Sequence, residues 1–137
     1  MRSVSVIVPR MFVELLGSSS FSFLRGASHP EELVVKAAEL GLGALALCDR
    51  DGLYGSARAL VAARETGVRA LVGAELSVGL GPRRALPVSR EQSPAPVPTL
   101  ALLARNHAGY TNLCRVLTLA HEALPKGQSR LELEWLA

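Results

Sequence analysis

Aromatic side chains are scarce in this chain of 137 residues: three Phe, two Tyr and one Trp. With so few rings and scattered basic residues, composition does not announce a dedicated nucleic-acid reader. A net charge of +3 and a pI near 9.3 still permit a nucleic-acid neighbour. Lysine is nearly missing too. Lys36 and Lys126 are the only two, so arginine carries the positive excess. The two cysteines, Cys48 and Cys114, form no metal or redox spacing and read as reduced thiols of a cytoplasmic protein. No apolar run approaches the length of a membrane helix. The opening MRSVSVIVPR has too short an apolar patch for a secretory signal and no small-residue cleavage site. Met11 is a candidate original start, which would make residues 1–10 an N-terminal extension. Apolar residues, at 49% against 20% charged, are plentiful enough to predict one soluble globular domain with a real core over residues 11–137.

The organising stretch is ALALCDRDGLYG, residues 44–55. Ala44 to Leu47 reads as a buried strand that delivers Cys48, Asp49, Arg50 and Asp51 at its carboxyl end. In parallel α/β architectures, chemistry collects where strands end and helices begin. Two carboxylates around an arginine there are a candidate site, or else caps of the next helix with Arg50 in solvent.

Upstream, Phe12 to Leu16 reads as a strand ended by Gly17 and Ser18 to Ser20. Ser28-His29-Pro30-Glu31 predicts a helix capped by Ser28, with Leu33, Val34, Ala37, Ala38 and Leu40 on its apolar face and Gly41 as terminator. A second helix runs from Leu53 to Glu65 and stops at Thr66-Gly67, and a third strand covers Ala70 to Val78. Glu75 lies inside that apolar run, as a site residue or as an edge residue facing water. Residues 79–98 hold Gly79, Gly81 and five prolines, which predicts an excursion. Its Arg83, Arg84 and Arg90 would either touch a phosphate backbone or be solvated. Strand Thr99 to Leu103, helix Ala108 to Leu124 and one further turn within Leu131 to Ala137 complete a βαβαβ–loop–βα order.

The runs ELLGSSSFSFLRGASHPEELVVKAAELGL, ALALCDRDGLYG, VGAEL and LLARNHAGYTNLCRVLTLAH resemble the start of bacterial C-family DNA polymerase alpha subunits of the error-prone, translesion type. In those proteins this region opens the PHP (polymerase and histidinol phosphatase) domain. The resemblance therefore implies the α/β class, with a partial PHP-type β/α barrel built from βα units. It also implies a cluster of divalent ions such as Zn, Mn or Fe, held by histidines and carboxylates and activating water against a phosphoester.

Against the family motifs Glu-Leu-His-x-His-Ser and Thr-Asp-His-Asp-Gly, this chain places Leu16 and Ser18 where two histidines belong and Arg50 where a third does. Asp49 is kept, and so is Glu75, which matches a bridging carboxylate. Leucine has no lone pair, serine is a weak ligand and arginine is a permanent cation. The expectation is that the metals are lost and that Arg50 replaces part of their charge against Asp49 and Glu75. No catalytic residue is expected, because the family's polymerase aspartates belong to a palm that this chain does not contain.

Three functions follow from this. One is a structural or interaction module whose partners are the polymerase remainder or other replication and repair proteins. Another is a phosphoesterase using Asp49 and Glu75 with His29, His107 or His121, and the third is a DNA-binding piece acting through the basic loop, weakly. A barrel interrupted after about half its strands should also self-associate through open sheet edges.

Overall fold

A computed structural model describes residues 12–79, 97–122 and 124–136. Four strands, β1 (Glu14–Gly17), β2 (Ala44–Arg50), β3 (Arg69–Ser77) and β4 (Thr99–Leu103), form one sheet in that spatial order. Helices α1 (Pro30–Glu39), α2 (Ser56–Thr66) and α3 (His107–Glu122) follow β1, β2 and β4, and a 3₁₀ turn spans Leu133–Leu136. This is the α/β half-barrel that the βα pattern implies. Arg83, Arg84 and Arg90 lie outside the described residues.

Helix α1 starts one residue later than the Ser28 cap predicts. Proline is favoured at the first helical position and drives the residue before it to an extended conformation. His29, at φ −66° and ψ 154°, is therefore the N-cap. Its N–H donates to the Glu32 carboxylate at 2.7 Å. Gly41, at φ +70°, turns the chain out of α1 where a side chain would be strained. Gly67, at φ +77°, does the same after α2. Helix α2 begins at Ser56 rather than Leu53, because the intervening residues form a turn in which the Ser56 N–H reaches the Leu53 carbonyl at 3.1 Å.

Strands β1, β2 and β3 are parallel, whereas β4 pairs antiparallel with β3. The reason is local. The Val78 N–H donates to the Pro98 carbonyl at 2.9 Å, so the segment between them leaves and re-enters at one end of the sheet. A parallel return would have to begin at the other end.

In the β2–β3 register, Leu45, Leu47 and Asp49 lie beside Ala70, Val72 and Ala74 on one face. That face carries the helices. Leu45 and Leu47 pack with Val34 and Ala37 of α1 and with Ala59, Ala62 and Ala63 of α2. Ala74 and Leu76 pack with Leu113, Val116 and Leu117 of α3 and with Leu131. The opposite face, which would be the barrel interior, carries Cys48 and Arg50 beside Gly73 and Glu75. Among the described residues, no helix is long and apolar enough to cross a membrane.

Candidate functional site

The ends of β1, β2 and β3 meet at one corner, but their side chains divide between the two faces. Asp49 follows Leu47 by two residues and so shares the helix-facing side. It is 1% exposed. Its Oδ1 accepts the Ser19 N–H and the Ser22 hydroxyl, both at 2.7 Å, and its Oδ2 accepts the Ser19 hydroxyl at 2.8 Å. The following turn comes in close: a Cβ at Gly55 would stand 2.8 Å from Asp49 Oδ2, which only glycine avoids. Asp49 thus anchors the serine loop after β1. It does not meet Glu75, contrary to the expected grouping, and neither Asp49 nor Asp51 caps α2, whose N-cap is Gly55.

Arg50 points to the inner face. Its Nε donates to the Ser77 hydroxyl at 3.0 Å and to Asp51 Oδ2 at 3.2 Å, and its Nη1 reaches Glu75 Oε1 at 3.4 Å. Asp51 sits at φ +51° and takes the Ser77 N–H and hydroxyl, each at 2.7 Å. Arg25 Nη1 reaches the same carboxylate, at 3.3 Å from Glu75 Oε2. Two carboxylates, Asp51 and Glu75, are therefore matched by two guanidiniums, Arg25 and Arg50. Glu75 is no edge residue, since β3 lies between β2 and β4. The counterion role expected of Arg50 falls on Glu75 and Asp51, not on Asp49.

Leu16 is 61% exposed. With Cys48, Glu75, Thr99 and Ala101 it lines an inner-face cavity of about 320 Å³. Burial, then the negative charges of Asp49 and Glu75, push the Cys48 thiol up to about 11. Its Sγ donates to the Leu15 carbonyl at 3.3 Å, so this is an inert thiol rather than a ligand. Ser18 lies half-buried in the loop. A larger cavity, about 460 Å³, sits at the opposite end of β3 between α2 and the β4–α3 turn and includes none of the corner residues.

The histidines lie apart from one another. His29 faces the Ser20 hydroxyl at 3.3 Å, and His107 opens α3. His121 ties α3 to the corner: its Nε2 lies 2.8 Å from the Asp51 carbonyl and its Nδ1 3.0 Å from that of Gln128. Among the described residues, no three His, Cys, Asp or Glu side chains are placed to hold a metal ion. At the positions matching the family ligands, Glu75 already faces two guanidiniums, Asp49 is taken up by serine donors on the other face of the sheet, Ser18 offers one hydroxyl, and Leu16 and Arg50 offer no lone pair. That set does not suit a divalent ion.

Sequence reasoning missed Arg25, Ser19, Ser22, Ser77 and the His121 link. The serine run carried a usable signal, since short hydroxyls beside a buried carboxylate are its natural donors. Arg25 carried none, being separated from Glu75 by 50 positions.

Comparison with known proteins agrees with this architecture. An error-prone DNA polymerase from Anaeromyxobacter sp. (strain K) is 53% identical over 111 residues, which is 80% of this chain and 9% of that protein. The error-prone DNA polymerase of Mycolicibacterium paratuberculosis is 49% identical over 127 residues, 91% of this chain and 11% of its own length. The chain thus spans about a tenth of these relatives. Among solved structures, a Chromobacterium violaceum amidohydrolase, with bound sulfate and no metal, superposes with a TM-score of 0.58 at 29% identity. The match covers 80% of this chain and 33% of that one. A Bifidobacterium adolescentis protein assigned as a metal-dependent phosphoesterase shares the fold, with a TM-score of 0.50 at 23% identity over 83% of this chain and 35% of its own. The PHP domain profile matches residues 18–137, and the chain belongs to the PHP domain family.

Proposed function

We propose that this chain is the N-terminal PHP portion of an error-prone bacterial DNA polymerase III alpha-type subunit, serving as a structural and interaction module in the cytoplasm. The polymerase remainder would be its principal partner. The observation that carries this reading is Glu75 held by both Arg25 and Arg50, at 3.3 and 3.4 Å. Guanidiniums occupy the neighbourhood where the family places cations. Fixed positive charge can keep the corner folded without an ion, at the expense of any metal-activated water. On this reading the chain holds no Zn, Mn or Fe and has no catalytic residue of its own.

The phosphoesterase alternative draws on the fold shared with the Bifidobacterium adolescentis protein. It would need Glu75 freed from both arginines and ligands beyond those at the corner. Elemental analysis of the chain purified without chelator separates the two. The module reading expects well under about one metal ion per chain. Stoichiometric metal together with metal-stimulated phosphodiester hydrolysis, lost in Glu75→Gln, would replace it with the enzyme.

A further inference from the structure

The serine loop anchored by Asp49 ends in a tip that none of the corner charges explains. Two of the chain's three phenylalanines and one of its two tyrosines gather there. Phe23 is 84% exposed, Tyr54 65% and Phe21 41%. The Phe21 and Tyr54 ring centroids lie 6.2 Å apart at an interplanar angle of 35°. In a chain so poor in rings, this much aromatic surface left in water marks a surface that something covers.

The tip is built rather than slack. The Ser22 N–H donates to the Ser19 carbonyl at 2.9 Å, and the Arg25 and Gly26 N–H groups close on the Ser22 carbonyl at 2.9 and 3.0 Å. Leu24, at φ +61°, is held in a left-handed conformation that costs a branched side chain stability. The same turns hold the rings outward.

The surroundings select the kind of partner. From Leu15 to Pro30 the sequence contains no carboxylate, while Arg25 and His29 are exposed and Ser18, Ser20 and Ser28 are half-buried. Arg25 spends only its Nη1 on Glu75 and stays half-exposed, so an apolar protein face would bury its remaining guanidinium donors, with the Ser18 and Ser28 hydroxyls, and offer them no acceptor. A nucleic-acid strand offers ring faces to stack and phosphate oxygens to accept hydrogen bonds. We propose that the Phe21–Phe23–Tyr54 tip is a stacking platform for the bases of single-stranded nucleic acid, with Arg25 taking a phosphate. The inference rests on ring placement and does not depend on whether the corner holds a metal.

Fluorescence anisotropy of a labelled oligothymidylate of about twelve nucleotides, titrated with the full chain, tests it. An abasic strand of equal length and charge isolates stacking from backbone attraction. The oligothymidylate should bind, and Phe23→Ala and Tyr54→Ala should each weaken it roughly fivefold or more. Phe23→Trp should retain binding, and the abasic strand should bind the native chain as weakly as the base-bearing strand binds the alanine variants. Both rings are exposed, so thermal melting should not move in these variants. The proposal is overturned if no complex forms at about 50 mM salt, or if the abasic strand binds equally well. Ring variants that bind unchanged would also overturn it, as would ring-dependent self-association without oligonucleotide binding.

Discussion

Removing the Arg50 side chain tests the charge arrangement of the corner most directly. Arg50 and Glu75 are 17% and 24% exposed in their side chains, neither in bulk water nor fully desolvated. At 3.4 Å and an effective dielectric near 20, their gross attraction is about 5 kcal/mol. Desolvation of both groups cancels part of that, and Arg25 still faces Glu75 in the variant. Arg50→Ala also strips one donor from Asp51 and from Ser77. The expected loss is about 2–3 kcal/mol, read as a fall of roughly 1–2 M in the urea midpoint. Arg25 is half-exposed, so Arg25→Ala should cost only about 0–1 kcal/mol. Combining Arg50→Ala with Glu75→Gln should recover about 1 kcal/mol relative to additivity, because the carboxylate left with only the half-exposed Arg25 disappears. An unchanged midpoint in Arg50→Ala, or a strictly additive double variant, would refute the reasoning.

Asp49→Asn should destabilise by about 2–3 kcal/mol, since an amide nitrogen must face one of three donors in a fully buried site. Denaturant titration checks this, and a variant within about 0.5 kcal/mol of the native chain would show that the serines do not need the carboxylate. With the Cys48 thiol moved from an ordinary 9.0 to about 11, folding favours its protonated form. That contribution is intact below pH 9 and should be lost as pH rises towards 11, by about 2–3 kcal/mol, with the fall abolished in Cys48→Ala. Light scattering should reveal concentration-dependent mass, because Leu15, Leu16 and Leu103 leave apolar surface at 44%, 61% and 42% exposure near the sheet edges. A strict monomer at all concentrations would mean those edges are tolerated in water.

Much of this architecture can be read from local pattern. Gly41 and Gly67 mark the helix ends because a positive φ is a property of one residue and its neighbours. The span Thr99–Leu103 is bounded by Pro98 on one side and a polar turn on the other, and β4 has those limits. The corner was legible as a place and less so as a geometry. The period of two already puts Asp49 with Leu45 and Leu47, and Arg50 with Cys48; grouping Asp49 with Glu75 disregards that pleat. Other features depend on contacts between distant segments. The Arg25–Glu75 pair, the direction of β4 and the burial of Leu131 are each set by which strands become neighbours, and no local window records that.

Leu131 also bears on the order in which the chain becomes a protein. Beyond Arg50, strand β3 loses β2 as its neighbour. The vacated side is taken by Leu131, whose N–H and carbonyl bond Ser77 and Gly79 at 2.7 and 2.9 Å in a parallel bridge to Val78. A ribosome making this chain therefore releases β3 long before it makes the residue that completes it. Helices α1 and α2 can settle on β2 at once, whereas the far end of β3 and the underside of α3 must wait. Released chains truncated just short of Leu131 should remain open to protease along α3, and those that include it should close. A segment made later would then decide whether the earlier parts are stable.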